Sequence, residues 1–237
     1  MEIIYKNSKV NYQIIGKSKN VIVYLHGWGC NLNYFDFLTK NLNAKHILID
    51  FPPFGKSEEP TTVLTVQDYA KMVQNILIKH KVKTFSIISH SFGTRVALYL
   101  CKFYKNNIAK LIITGGAGLK NKNKIKKLFR KLKYKVIKTF NKNALVGSSD
   151  YKNLNDVMKK TFSNIVNKDL SSLAKMVNVP TLLIYGNKDN QTPIYMAKKF
   201  NKLIKNSKLI IYKNFDHFAY IHNSKQFLLD VSIFLKE

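Results

Sequence analysis

Phe85-Ser86-Ile87-Ile88-Ser89-His90-Ser91-Phe92-Gly93-Thr94 is the stretch that decides the fold. Phe85 to Ile88 is a short apolar run of the kind that forms a buried strand, and Phe92 to Tyr104 carries apolar side chains at helical spacing. Between them, Ser89-His90-Ser91-Phe92-Gly93 matches a G-x-S-x-G pentapeptide with serine in place of the first glycine. In a sharp strand-to-helix turn this pattern holds its central serine strained and exposed. The first position needs a small side chain because strand and helix pack closely there, and serine is small enough.

On both sides of this turn, short apolar runs alternate with amphipathic stretches. Val10–Ile15 and Val21–Leu25 read as strands, and the turn chemistry of Gly16 to Asn20 predicts a hairpin between them. An amphipathic stretch near Tyr34–Asn41 precedes a strand at His46–Asp50. A helix is predicted over Val66–His80, with Thr65 as N-cap and Asp68 in its first turn. Strands at Ile108–Thr114, Thr181–Tyr185 and Ser207–Tyr212, and helices at Ile194–Leu203 and Lys225–Lys236, continue the alternation. Strands that are apolar throughout, separated by helices, imply an α/β fold: a mostly parallel twisted sheet flanked by helices.

One segment breaks the pattern. Residues 119–177 hold no strand-like run and read as a helical cap inserted between two parts of the core, 1–118 and 178–237. Lys120 to Lys142 contains ten lysines and Arg130 and no acidic residue, yet Ile125, Leu128, Phe129, Leu132, Val136, Ile137 and Phe140 share one helical face. A second helical stretch, Leu154–Val166, follows Gly147-Ser148-Ser149-Asp150. The apolar stripe is expected to cover a pocket, with Phe129, Leu132 and Phe140 as its walls, while the lysines face water. The sharper alternative is weak attraction of the basic cap to an anionic surface, an acidic acyl carrier or a negatively charged substrate.

Composition narrows the class. A chain of 237 residues with 46% hydrophobic and 12% aromatic content is long enough for one large domain with a sizeable core, or at most two small ones, and is neither disordered nor collagenous. Cys30 and Cys101 are too few for a disulfide framework, and no CxxC pair suggests a metal site. The first residues lack an apolar signal core, and no apolar run is long enough for a bilayer, so a soluble cytoplasmic protein is expected. The formal net charge is +27, but only Arg95 and Arg130 are arginines. Abundant Lys, Asn and Ile match AT-rich coding. A nucleic-acid reader would favour arginine forks, so no specific nucleic-acid partner is expected. Nothing in the sequence specifies an oligomeric state.

A serine at its free pKa is a poor nucleophile; it needs a base, and the base needs an orienting partner. Asp189 lies in Tyr185-Gly186-Asn187-Lys188-Asp189, just past one predicted strand, and His217 lies in Asn214-Phe215-Asp216-His217-Phe218, just past another. Ser91, Asp189 and His217 thus occupy three loops beyond strand carboxyl ends, where open α/β sheets place their sites. His26-Gly27-Trp28-Gly29 follows the strand Val21–Leu25, so the N–H groups of Trp28 and Phe92 are candidate oxyanion donors.

Bland readings attach to the remaining polar residues. His26 is expected to order the oxyanion loop. His46 and His80 read as surface or strand-edge residues, and His222 as the start of the last helix. Asp50 is expected to bond backbone N–H groups near Pro52-Pro53, Arg95 to form a structural ion pair, and Cys30 to be a small buried residue.

These motifs together resemble the α/β-hydrolase superfamily over nearly the whole chain: His26-Gly27-Trp28-Gly29, Asp50-Phe51-Pro52-Pro53-Phe54-Gly55-Lys56-Ser57, the serine turn, Gly186-Asn187-Lys188-Asp189 with Pro193, and Asp216-His217. The likeness is greatest to its capped esterases and carbon–carbon bond hydrolases. It implies Ser91 as nucleophile, His217 as base, Asp189 as its partner, a small-molecule acyl substrate, and neither cofactor nor metal. Ser89 and Asp216 depart from the family's glycines at those positions. The expected activity is cleavage of a carboxylic ester of a small, largely apolar substrate through an acyl-enzyme. Carbon–carbon bond hydrolysis or thioester hydrolysis on the same three residues is one alternative, and a non-catalytic binding protein using its basic surface is another.

Overall fold

The computed structural model describes residues 1–120 and 154–236. Eight strands form one sheet: β1 (Glu2–Tyr5), β2 (Ser8–Ile15), β3 (Val21–Leu25), β4 (Lys45–Ile49), β5 (Phe85–His90), β6 (Ile108–Thr114), β7 (Thr181–Gly186) and β8 (Ser207–Tyr212). Their spatial order is β1-β2-β4-β3-β5-β6-β7-β8. From β4 to β8 every neighbouring pair is parallel, while β2 runs antiparallel to both β1 and β4.

The expected hairpin between Val10–Ile15 and Val21–Leu25 does not form, because β4 lies between them. β2 instead pairs with β1 across Lys6-Asn7, whose φ angles of 47° and 64° make the two-residue turn favoured in hairpins. Gly16 to Asn20 is a connection to the sheet's interior, not a hairpin tip.

The helices among the described residues are α1 (Asp36–Thr39), α2 (Val66–Lys79), α3 (Phe92–Phe103), α4 (Asp156–Asn167), α5 (Ser171–Lys175), α6 (Ile194–Leu203), α7 (Ala219–His222) and α8 (Ser224–Lys236). The stretch near Tyr34–Asn41 is a 3-10 turn, Leu32–Phe35, running into α1. Thr65 and Asp68 form a reciprocal capping box at the start of α2.

Successive strand residues point to opposite faces, so the sheet builds two cores. Val23, Leu25, Ile87, Ile113, Leu183 and Tyr185 pack with residues of α2, α3, α5 and α6. Ile22, Tyr24, Ile88, Ile112, Leu182 and Ile184 pack with residues of α1, α7 and α8. Covering both faces leaves the strand ends as the places where polar side chains gather. Among the described residues no helix is long and apolar enough to cross a membrane.

Candidate active site

Four loops beyond the carboxyl ends of β3, β5, β7 and β8 line a cavity of about 520 Å³ with Trp28, Ser91, Phe92, Thr192 and His217. α4 contributes Phe162, Ile165 and Val166 to its wall. A larger hollow of about 690 Å³ lies at the opposite edge of the sheet, but it is lined by no histidine, cysteine or carboxylate.

Ser91 stands between β5 and α3 with φ +46° and ψ −109°, a backbone conformation that L-residues avoid. The turn is held tight on both sides. The Ser91 N–H donates to the Thr114 carbonyl at 3.1 Å, and a Cβ on Gly93 would overlap the Leu25 carbonyl, so α3 crowds against β3. Ser89 is fully buried, and its hydroxyl donates to the Ile112 carbonyl at 3.2 Å. The serine that departs from the glycine pattern is thus accommodated with a hydrogen bond of its own.

Asp189 and His217 are joined. His217 Nδ1 donates to Asp189 Oδ2 at 2.8 Å, and both side chains are nearly fully buried. Asp189 Oδ1 accepts the Gln191 and Thr192 N–H groups at 2.8 Å each, and Thr192 Oγ1 donates to Oδ2 at 2.7 Å. Burial alone would raise the carboxyl pKa, but the bonds from His217 and Thr192 outweigh it and hold Asp189 below the ordinary aspartate range. With Nδ1 committed to the carboxylate, Nε2 is the ring nitrogen left for a reacting group. Ser91 Oγ makes no hydrogen bond to it, although both residues line the same cavity.

The loop after β3, His26 to Gly29, is ordered from beneath by His26, which is 0% exposed. The Phe51 N–H donates to His26 Nε2 at 2.8 Å, so Nδ1 carries the proton and donates to the Gly27 carbonyl at 2.7 Å. Neither the Trp28 nor the Phe92 N–H has an acceptor among the described residues. The Trp28 ring meets Phe54, Phe92 and Phe162 edge-on, making one wall aromatic.

Several residues fall elsewhere than expected. Arg95 forms no ion pair among the described residues; its Nη1 donates to the Ile165 and Lys168 carbonyls at 2.7 and 2.9 Å, tying the end of α4 to α3. His46 is buried, not at an edge, bonded to the Tyr24 hydroxyl at 2.8 Å and the Leu42 carbonyl at 3.0 Å. His222 ends α7 instead of starting the last helix, and pairs at 3.0 Å with Asp216, both half-exposed. Asp50 accepts from the Leu32 and Lys56 N–H groups at 2.8 and 2.9 Å, as its position suggested. Cys30 is buried and also borders the cavity. Phe129, Leu132 and Phe140 lie outside the described residues. Sequence reasoning passed over Thr192, although a threonine three residues beyond an aspartate in a loop is a recognisable hydrogen-bonding turn.

A strained serine turn, an imidazole–carboxylate pair and unspent N–H donors at one rim of a parallel sheet define a hydrolase-type fold. A family model described as the alpha/beta hydrolase fold matches residues 20–154, and a second, described as TAP-like protein, matches residues 160–235. The chain belongs to the alpha/beta-hydrolase fold family, a class of enzymes. It is 24% identical to the pimeloyl-(acyl-carrier protein) methyl ester esterase of Wigglesworthia glossinidia brevipalpis, over 95% of this chain and 97% of that one. It is 28% identical to putative esterase/lipase 2 of Mycoplasma genitalium, over 79% and 80% of the two chains. The solved structure of MGS-M2, an alpha/beta hydrolase enzyme from a Medee basin deep-sea metagenome library, superposes with a TM-score of 0.81 at 18% identity, covering 100% of this chain and 98% of that one.

Proposed function

We propose that this chain is a serine hydrolase that cleaves a carboxylic ester of a small, largely apolar acyl substrate. The observation that carries the reading is the 2.8 Å His217–Asp189 pair opening onto the same cavity as the strained Ser91. Ser91 Oγ attacks the carbonyl carbon while His217 Nε2 takes its proton. Asp189 keeps the imidazole in the tautomer with Nδ1 protonated and balances the charge it gains. The Trp28 and Phe92 N–H groups receive the oxyanion, a contribution worth on the order of 100- to 1,000-fold in rate per donor. His217 then returns the proton to the leaving alkoxide, and water, activated by the same nitrogen, releases the acid from the acyl-enzyme.

The aromatic wall of Trp28, Phe92 and Phe162 suits an apolar acyl or alkyl group. The described part of the inserted segment, α4, adds Phe162, Ile165 and Val166 to the same chamber. The esterase names of the two relatives agree with ester cleavage.

The test is turnover of aryl esters of graded chain length, beside a thioester and a vinylogous diketone, by wild type and by Ser91→Ala. Wild type should be labelled at Ser91 by a fluorophosphonate, and the variant should be folded, unlabelled and inactive. Undiminished ester turnover by Ser91→Ala would refute the assignment.

A further inference from the structure

His90 closes β5 and is bonded through the chain to Ser91, yet it takes no part in the chemistry above. Its ring is 1% exposed. Nε2 lies 3.1 Å from the backbone carbonyl oxygen of His217, and because a carbonyl only accepts, Nε2 carries the proton and Nδ1 is bare. Nδ1 has no hydrogen-bond partner in the described structure; its edge abuts the oxyanion loop, where a Cβ on Gly27 would stand 2.7 Å away. The ring centroid is 4.7 Å from that of His217 and 4.7 Å from that of Tyr220.

Packing alone does not account for a histidine here. A buried ring nitrogen without a partner is destabilising, and an apolar side chain of similar size would remove that cost. What only the histidine supplies is the Nε2–H donor to the His217 backbone. That bond joins the segment carrying the nucleophile to the loop carrying the base, while the opposite ring edge rests on the oxyanion loop.

We propose that His90 is a positioning residue, whose Nε2–H bond to the His217 carbonyl sets the placement of the His217 imidazole relative to Ser91. The proposal rests on the reading of His217 as the base. The titratable groups around His90 are His217, Asp189, His26 and Tyr220. Burial first, and His217 next, hold its pKa well below the ordinary histidine value, so the ring stays neutral with a single donor.

Glutamine and asparagine variants separate this role from simple core filling, because Gln places an amide N–H near the position of histidine Nε2 and Asn falls short of it. In the full chain, kcat, KM, the rate of fluorophosphonate labelling and the downfield proton resonance of His217 Nδ1–H are measured for wild type, H90Q and H90N. His90→Asn should lower kcat and the labelling rate about 10- to 100-fold with KM within about threefold, and should shift or broaden the resonance. His90→Gln should restore the rates to within about threefold of wild type and keep the resonance. Equal behaviour of the two variants, folded or not, would assign His90 to the core and overturn the proposal. Failure is traceable: a wild type not labelled at Ser91 removes the triad itself, whereas a labelled wild type with indistinguishable variants removes only the role of His90.

Discussion

The Phe51 N–H and His26 Nε2 are joined by a 2.8 Å hydrogen bond that fixes His26 as a neutral ring beneath the loop after β3. Protonating Nε2 would turn that acceptor into a second donor facing the Phe51 N–H, inside a site with no exposure to water. Burial accordingly pulls the His26 pKa down to about 4. The unfolded chain binds this proton at the ordinary value of about 6.5, so between the two values the unfolded state holds more protons and acid favours it. The stability is present above pH 6.5, declines as pH falls, and is lost below about 4. Denaturant unfolding at pH 7 and pH 5 should differ by about 2 kcal/mol from this residue, and His26→Gln should shrink the difference. An unchanged pH dependence in the variant would remove His26 as the source.

Asp189→Asn should slow turnover far more than it destabilises the fold. The Gln191 and Thr192 N–H groups both point at Oδ1, so an asparagine puts its carbonyl oxygen there and its NH2 group against His217. His217 Nδ1 must then accept, the proton moves to Nε2, and the base is blocked. A fall in kcat on the order of 10³- to 10⁴-fold is expected with little change in KM. A fall under tenfold in steady-state kinetics would count against the pairing.

Arg95→Met keeps the aliphatic stem and removes the two donors that hold the Ile165 and Lys168 carbonyls. Because α4 lines the cavity and none of the lost bonds touches the reacting atoms, the effect should fall on substrate binding. KM for longer-chain aryl esters should rise about 3- to 10-fold with kcat within about threefold. A selective fall in kcat would give Arg95 a different role.

Gly93→Ala tests the close approach of α3 to β3. The new methyl would overlap backbone atoms of Leu25, which cannot rotate away. A loss of about 3 kcal/mol or more is expected, read as thermal unfolding or as insoluble expression. A variant as stable as wild type would mean that the helix can retreat.

The parallel core and the three site loops were legible in the sequence for a local reason. Apolar runs such as Ile108–Thr114 and Ser207–Tyr212 end at glycines in the one and at Lys213-Asn214 in the other, so strand ends and the loops beyond them could be placed to within a residue or two. Partnership between distant segments was not legible. β2 and β3 are neighbours in sequence but not in the sheet, because β4 returns to insert between them. His46 and Arg95 were misjudged for the same reason: their partners, Tyr24 and the end of α4, come from other elements. Asp216, which departs from the family's glycine, directs its carboxylate to the Phe218 N–H and to His222, each at 3.0 Å, partners that the sequence did not announce.

Ser91 keeps a hydroxyl where the chain would be better served by no side chain at all. Selection for thermal endurance and selection for turnover therefore pull opposite ways at this position. Ser91→Gly should melt later than wild type, by a margin on the order of 1 kcal/mol, while hydrolysing nothing. Stabilising this protein for use would have to start elsewhere, since relaxing this strained turn would, on the proposed mechanism, retire the enzyme.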